Sequence, residues 1–207
     1  MQSKLDMLSK FVLTESNFEN SIRISKPPQP KPKKYVPVKG TDTLFWCLYI
    51  IRNSLFQYES MHNKFQVEQE TKFKMIEEFR NSPLYKINKI KKTEVESNLS
   101  GNVPMSYASL HMACVFYGFS CVIVIKDLYF IIGTGEPVYE IHKKDNVYHL
   151  EDLTEYSHFY KVESYAKPLK SISNYKLDDL CKIAVQLNIP VSNKKVMYDA
   201  IRQRLIL

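Results

Sequence analysis

At 207 residues the chain has room for one domain of ordinary size and a small appendage. An apolar fraction of 44%, with 14 Tyr, 11 Phe and only five Gly, supports a real core and excludes repeat and low-complexity architectures. The net charge of +7 suits an acidic partner such as nucleic acid, but 22 acidic residues are interspersed with the 29 Lys and Arg, which excludes a polycation.

Residues 1–25 read as a leader with one short amphipathic helix, in which Leu5, Leu8 and Phe11 share a face. The first ten residues are charged and lack an apolar stretch, so a signal peptide is not expected. The segment 26–37 follows, with Pro27, Pro28, Pro30, Pro32 and Pro37 interleaved with Lys26, Lys31, Lys33 and Lys34. Such a composition favours extended polyproline II and cannot build a core. It is either a solvated linker or an arm that lies along a partner, its fixed φ angles lowering the entropy lost on docking. The domain reading is therefore an arm with linker over 1–40, a folded domain over 41–165 and a small unit over 170–207.

Gly40-Thr41-Asp42-Thr43 opens the next element with turn and cap residues, Asp42 or Thr41 being a suitable N-cap. Eight apolar residues run from Leu44 to Ile51, and Leu55 and Phe56 continue the pattern, which predicts a long buried helix over 42–57. It carries Cys47 beside Trp46. Residues 64–80 form a second helix with Phe65, Phe73, Ile76 and Phe79 turned inward, ended by Pro83. Residues 84–99 place Leu84, Ile87 and Ile90 at helical spacing. Ser106 to Tyr117 is a helix capped by Ser106 and closed by Gly118.

After Gly118 the texture changes to short β-branched and aromatic runs at 121–125, 128–132, 137–142 and 146–150, separated by turn residues, with a fifth through 158–162. These predict an antiparallel meander, and the whole is α+β: a helical subdomain around a buried central helix, packed on one sheet. Beyond Pro168 lies a helical hairpin. Asn174 caps a helix with Leu177, Leu180, Cys181, Ala184 and Leu187 in phase, and Lys194 to Leu205 places Val196, Met197, Ala200, Ile201 and Leu205 inward. Such a unit cannot bury much area alone, so it must be very small or dock on something.

Cys47, Cys114, Cys121 and Cys181 form no C-x-x-C pair, and free thiols in a reducing compartment are expected. Without C-x₂-C or H-x₃-H spacing, neither a metal site nor another cofactor is expected. His111 reads as a satisfied core or boundary residue, and His62, His142 and His158 as solvated. No apolar stretch approaches the roughly 18 residues of a membrane span.

Three segments occur in one order: Asp42-Thr-Leu-Phe-Trp-Cys-Leu-Tyr-Ile-Ile51, Val67-Glu-Gln-Glu-Thr-Lys-Phe-Lys-Met-Ile76 and Lys167-Pro-Leu-Lys-Ser-Ile-Ser-Asn-Tyr-Lys-Leu-Asp-Asp-Leu180. Together, over roughly residues 38–205, they resemble a protein family of large nucleocytoplasmic DNA viruses (phycodnavirus and mimivirus relatives). The resemblance implies a viral protein with a papain-like or OTU-like domain, and a tail similar to a SAP-type helix–loop–helix, a module often used to bind DNA.

Under the papain-like analogy Cys47 is the nucleophile, His149 its base, and Asp152 or Glu151 orients the imidazole. With Asp42 as cap, however, Cys47 sits a turn and a half inside the helix, where the dipole helps less. Aligning Leu44-Phe45 with the Leu-Phe that follows the OTU nucleophile puts Thr43 in the catalytic slot. The expectation is a degenerate site, with the Cys47 sulfur buried among apolar side chains. In the tail, Lys176, Lys182, Lys194, Lys195, Arg202 and Arg204 are the candidate phosphate contacts, opposed by Asp178, Asp179 and Asp199.

The leading functional reading is a structural or interaction protein of a large DNA virus particle, of minor capsid or core type. Its partners would be other viral structural proteins reached through the arm 26–37. Its location would be the virion, with the host cytoplasm or viral factory during assembly. The alternatives are a cysteine peptidase or deubiquitinase using Cys47 and His149, and a DNA-tethering protein acting through 175–205.

Overall fold

The computed structural model describes residues 42–151 and 158–205, all within the compact unit Lys34–Leu207. The leader, the Pro-rich segment 26–37, Thr41 and Asp152 lie outside the described residues.

Asp42, not Thr41, is the N-cap of α1 (Thr43–Asn53): its Oδ1 accepts the Phe45 N–H at 3.1 Å. Every residue from Thr43 to Leu48 is buried, and Trp46 packs against Phe45, Tyr49 and Tyr58 with ring centroids 5.0, 5.4 and 5.2 Å away. The expected helix over 42–57 is broken in two. Ser54 takes φ 118°, ending α1, and its hydroxyl caps α2 (Leu55–Ser60) by accepting the Gln57 N–H.

The inward face of α3 (Lys64–Phe79) also differs from the hydrophobic pattern. Phe65 and Phe73 are exposed, while Glu68, Lys72, Met75 and Phe79 are buried. Lys72 explains the difference. Its ammonium reaches Asp42 at 2.8 Å and Glu68 at 2.7 Å, so the helix turns a charged stripe toward the cap of α1. The same Asp42 carboxylate accepts the Met105 N–H. One side chain thereby ties together α1, α3 and the segment entering α6.

The Lys-rich region 84–99 forms two helices, α4 (Leu84–Ile87) and α5 (Lys92–Ser100), with Lys89 between them at φ 54°. Ile87 is exposed, so it is not a core residue. In α6 (Tyr107–Tyr117) both expected caps are present: the Ser106 hydroxyl accepts the Ser109 N–H, and Gly118 is left-handed at φ 77°.

The strands are β1 (Ser120–Ile125), β2 (Leu128–Ile132), β3 (Val138–Lys144), β4 (Val147–Glu151) and β5 (Tyr160–Lys161). The α+β class holds, but the sheet is mixed, in the order β4-β3-β1-β2-β5, with β3 parallel to β1 and β5 parallel to β2. The antiparallel meander fails at two places: β3 leaves β2 for the far edge of β1, and β5 leaves β4 for the far edge of β2. Residues 133–137 carry the chain from the β2 edge of β1 to its other edge, past the backbone that enters β1. Gly135 permits this: a Cβ there would stand 2.3 Å from the Gly118 carbonyl oxygen. Ser120 locks the crossing, donating Oγ–H to Gly135 O at 2.7 Å and N–H to Pro137 O at 3.1 Å.

One face of the sheet meets the helices through Cys121, Ile123, Phe130, Ile141 and Leu150, with α1 against β4. Period-two alternation puts Val122, Val124, Glu140, His142, His149 and Glu151 on the other face.

The tail forms the expected hairpin, α7 (Leu177–Gln186) and α8 (Lys194–Arg204), after a 3₁₀ turn at Ile172–Asn174. Asn174 belongs to that turn; the N-cap of α7 is Lys176, whose N–H the Asp179 carboxylate accepts at 3.0 Å. Leu180, Ala184, Leu187, Met197, Ile201 and Leu205 are buried in the same apolar cluster as α1 and the sheet, whereas Leu177 and Val196 are exposed. The hairpin docks on its own domain.

Candidate functional site

Papain-like chemistry needs an accessible thiolate at the helix start and an imidazole within about 4 Å of the sulfur. Cys47 offers neither condition. It is fully buried, and burial, with Cys121 and Asp42 nearby, pushes its thiol well above the ordinary range, so it stays protonated. His149 alternates with Leu150 along β4. Leu150 faces the core that contains Cys47, so the imidazole lies on the opposite face of the sheet. The sequence-derived pair Cys47 and His149 is therefore not brought together, and Asp152 lies outside the described residues.

At the start of α1 stands Thr43, the residue that the OTU analogy aligns with the nucleophile. Its hydroxyl oxygen accepts the Tyr148 N–H at 3.0 Å, fastening the helix start to β4. Beyond it the Tyr148 hydroxyl meets the Tyr107 hydroxyl at 2.7 Å, and Tyr107 packs edge-on against Phe130 and Tyr165. Burial raises both phenols above their usual range. His111 closes this aromatic group through Nδ1, 3.0 Å from the Tyr165 hydroxyl, and burial lowers its pKa. This agrees with a satisfied boundary histidine. The corner is a hydrogen-bonded aromatic group in which the Thr43 hydroxyl, the two phenols and His111 each have a partner.

The polar chemistry lies on the other face, at the β3–β4 hairpin. Lys144 pairs with Val147, leaving Asp145 and Asn146 as a two-residue turn, both at positive φ (50° and 63°), the type I′ geometry that closes tight hairpins. The register then sets His142 opposite His149 and Glu140 opposite Glu151. His142 Nε2 contacts Glu140 Oε1, its Nδ1 lies 3.4 Å from Glu151 Oε2, and His149 Nε2 lies 3.0 Å from Glu151 Oε1. The imidazole rings are 5.6 Å apart. A cavity of about 680 Å³ opens here, lined by His142, His149 and Glu151 with Lys126, Lys143 and Lys144.

Sequence reasoning read His142 as solvated; it is half-buried within this cluster. The available signal was two histidines flanking an Asp-Asn turn at matched distance, which a search for within-helix metal spacings passes over. His62 and His158 are exposed.

Of the tail cations, Arg204 is committed to docking. Its Nη2 reaches both carboxylate oxygens of Asp127, at 2.9 and 2.8 Å, on the β1–β2 turn. Lys176, Lys182, Lys195 and Arg202 are exposed and Lys194 is half-buried. Asn193 caps α8 by accepting the Val196 N–H, so one of the backbone donors at that helix start is already used. Among the described residues, no helix is long and apolar enough to cross a membrane. No family model, curated protein or solved structure matches this chain.

Proposed function

We propose that the protein is an interaction protein built on a hydrolase-like layout that does not hydrolyse, acting as a structural component of a large DNA virus particle. One observation carries the non-catalytic half: the helix start that would hold a nucleophile is closed, with the Thr43 hydroxyl tied to the Tyr148 backbone. The nearby thiol is buried and protonated. The viral half rests on the resemblance of the three sequence segments and on the Pro- and Lys-rich stretch 26–37 as a partner-binding arm.

Two experiments test the halves separately. Electrophilic ubiquitin and peptide probes, incubated with the full chain at neutral pH, should form no adduct at Cys47. A Cys47 adduct lost in C47A would restore the peptidase reading. Deleting residues 1–37 should leave a folded, soluble protein that fails to enter particles. Normal incorporation without them would remove the structural role.

A further inference from the structure

We propose that His142, His149 and Glu151 form a zinc-binding site opening into the cavity beside the β3–β4 hairpin. The three side chains come from one tight hairpin, and their ligand atoms all lie within 4.8 Å of one another. A four-coordinate zinc with bonds of about 2.0–2.1 Å holds its ligand atoms roughly 3.4 Å apart. Glu151 approaches both rings at about that spacing with one oxygen each, Oε1 3.0 Å from His149 Nε2 and Oε2 3.4 Å from His142 Nδ1. Bringing one carboxylate oxygen and both ring nitrogens to that spacing takes a small side-chain adjustment at Glu151 and His142, both of which are only half-buried.

The donor set selects the metal. Two imidazole nitrogens and a carboxylate suit zinc and its transition-metal neighbours, whereas calcium and magnesium prefer oxygen ligands throughout. Behind the ligands stands Glu140, 1% exposed, in contact with His142 Nε2. A carboxylate accepting the far N–H of a metal-bound histidine fixes its tautomer, leaving the other nitrogen's lone pair for the metal. Here that other nitrogen is the Nδ1 that faces Glu151. An ion pair alone uses one imidazole and one carboxylate; this cluster supplies three ligands and a second shell. The fourth coordination position faces the cavity and falls to water. His149 thereby gains a role on the sheet face away from Cys47, and the inference does not depend on the virion reading.

The test uses the full chain, stripped with a chelator and titrated with Zn²⁺ by calorimetry and with Co²⁺ by visible absorption. One ion per chain is expected, with the intense Co²⁺ bands of a four- or five-coordinate site, and Zn²⁺ should raise Tm. H142A and E151Q, both changed at partly exposed positions, should each weaken Zn²⁺ binding at least tenfold while keeping the far-UV dichroism of the parent. E140Q should weaken it by about tenfold through the second shell. C181S, altering the one half-exposed thiol, should bind as the parent does. A parent chain that binds no Zn²⁺ below about 1 mM overturns the proposal. So does a loss smaller than tenfold in both H142A and E151Q.

Discussion

Replacing Lys72 with methionine probes the knot at the start of α1. The ammonium is 1% exposed and bridges Asp42 and Glu68, whose side chains are 3% and 10% exposed. At an effective dielectric constant of about 20, each contact carries roughly 6 kcal/mol of gross attraction, most of it offset by desolvation. Removing the cation leaves that desolvation uncompensated and sets two carboxylates facing each other. Breaking a buried ion pair from one side costs about 3–5 kcal/mol, and we expect K72M to fall in that range. Asp42 retains its Phe45 and Met105 N–H partners, so the fold survives and the loss is measurable. Urea unfolding followed by tryptophan fluorescence suits the measurement, because Trp46 lies in the next turn of α1. The triple variant K72M/D42N/E68L should recover most of the loss, since apolar packing substitutes well for buried charge. A K72M destabilisation below about 1 kcal/mol would refute the reasoning and mark the cluster as solvated.

Three further outcomes follow from the geometry. G135A should destabilise by about 3 kcal/mol or more in urea unfolding, because the new methyl meets backbone rather than a movable side chain. Stability should fall as pH rises above about 9, since Cys47, Tyr148 and Tyr165 (pushed to about 12) keep their protons in the folded chain while the unfolded chain loses them. The unfolded chain then binds fewer protons, so the urea midpoint should decline between about pH 9 and 11, less steeply in Y148F. R204A removes a partly exposed ion pair and should cost under about 1 kcal/mol, yet make α8 the first site of limited proteolysis.

What the sequence disclosed was local. The Asp42, Ser106 and Gly118 caps, the strand positions and the terminal hairpin follow from short-range chemistry, and each is present. The break at Ser54 and the Lys176 cap of α7 are local failures, and the others involve partners distant in sequence. Lys72 turns inward because Asp42 waits there, so the phenylalanines that hydropathy assigned to the core, Phe65 and Phe73, face outward. The order of the sheet depends on Gly135 passing Gly118, which no strand pattern encodes. The β3–β4 cluster needed the register of the hairpin, which the Asp145-Asn146 turn supplies. The Cys47–His149 pairing placed the right residue types on elements that do pack together, but on opposite faces of β4.

The crossing at 133–137 also bears on how the chain finds its fold. β1 with β2, and β3 with β4, are ribbons that each close over two residues, a process of roughly 1–10 μs. Joining them is a different event: β3 must reach the far edge of the central strand, and the parallel ladder from Ser120–Val138 to Ile125–Lys143 forms only after that passage. The sheet should therefore assemble as two prebuilt halves whose mating sets the rate. Ile123→Val and Ile141→Val, across the seam, should then act mainly on the unfolding rate, whereas changes at either turn should slow folding. A chain built this way spends its last search on a single seam through the middle of its sheet.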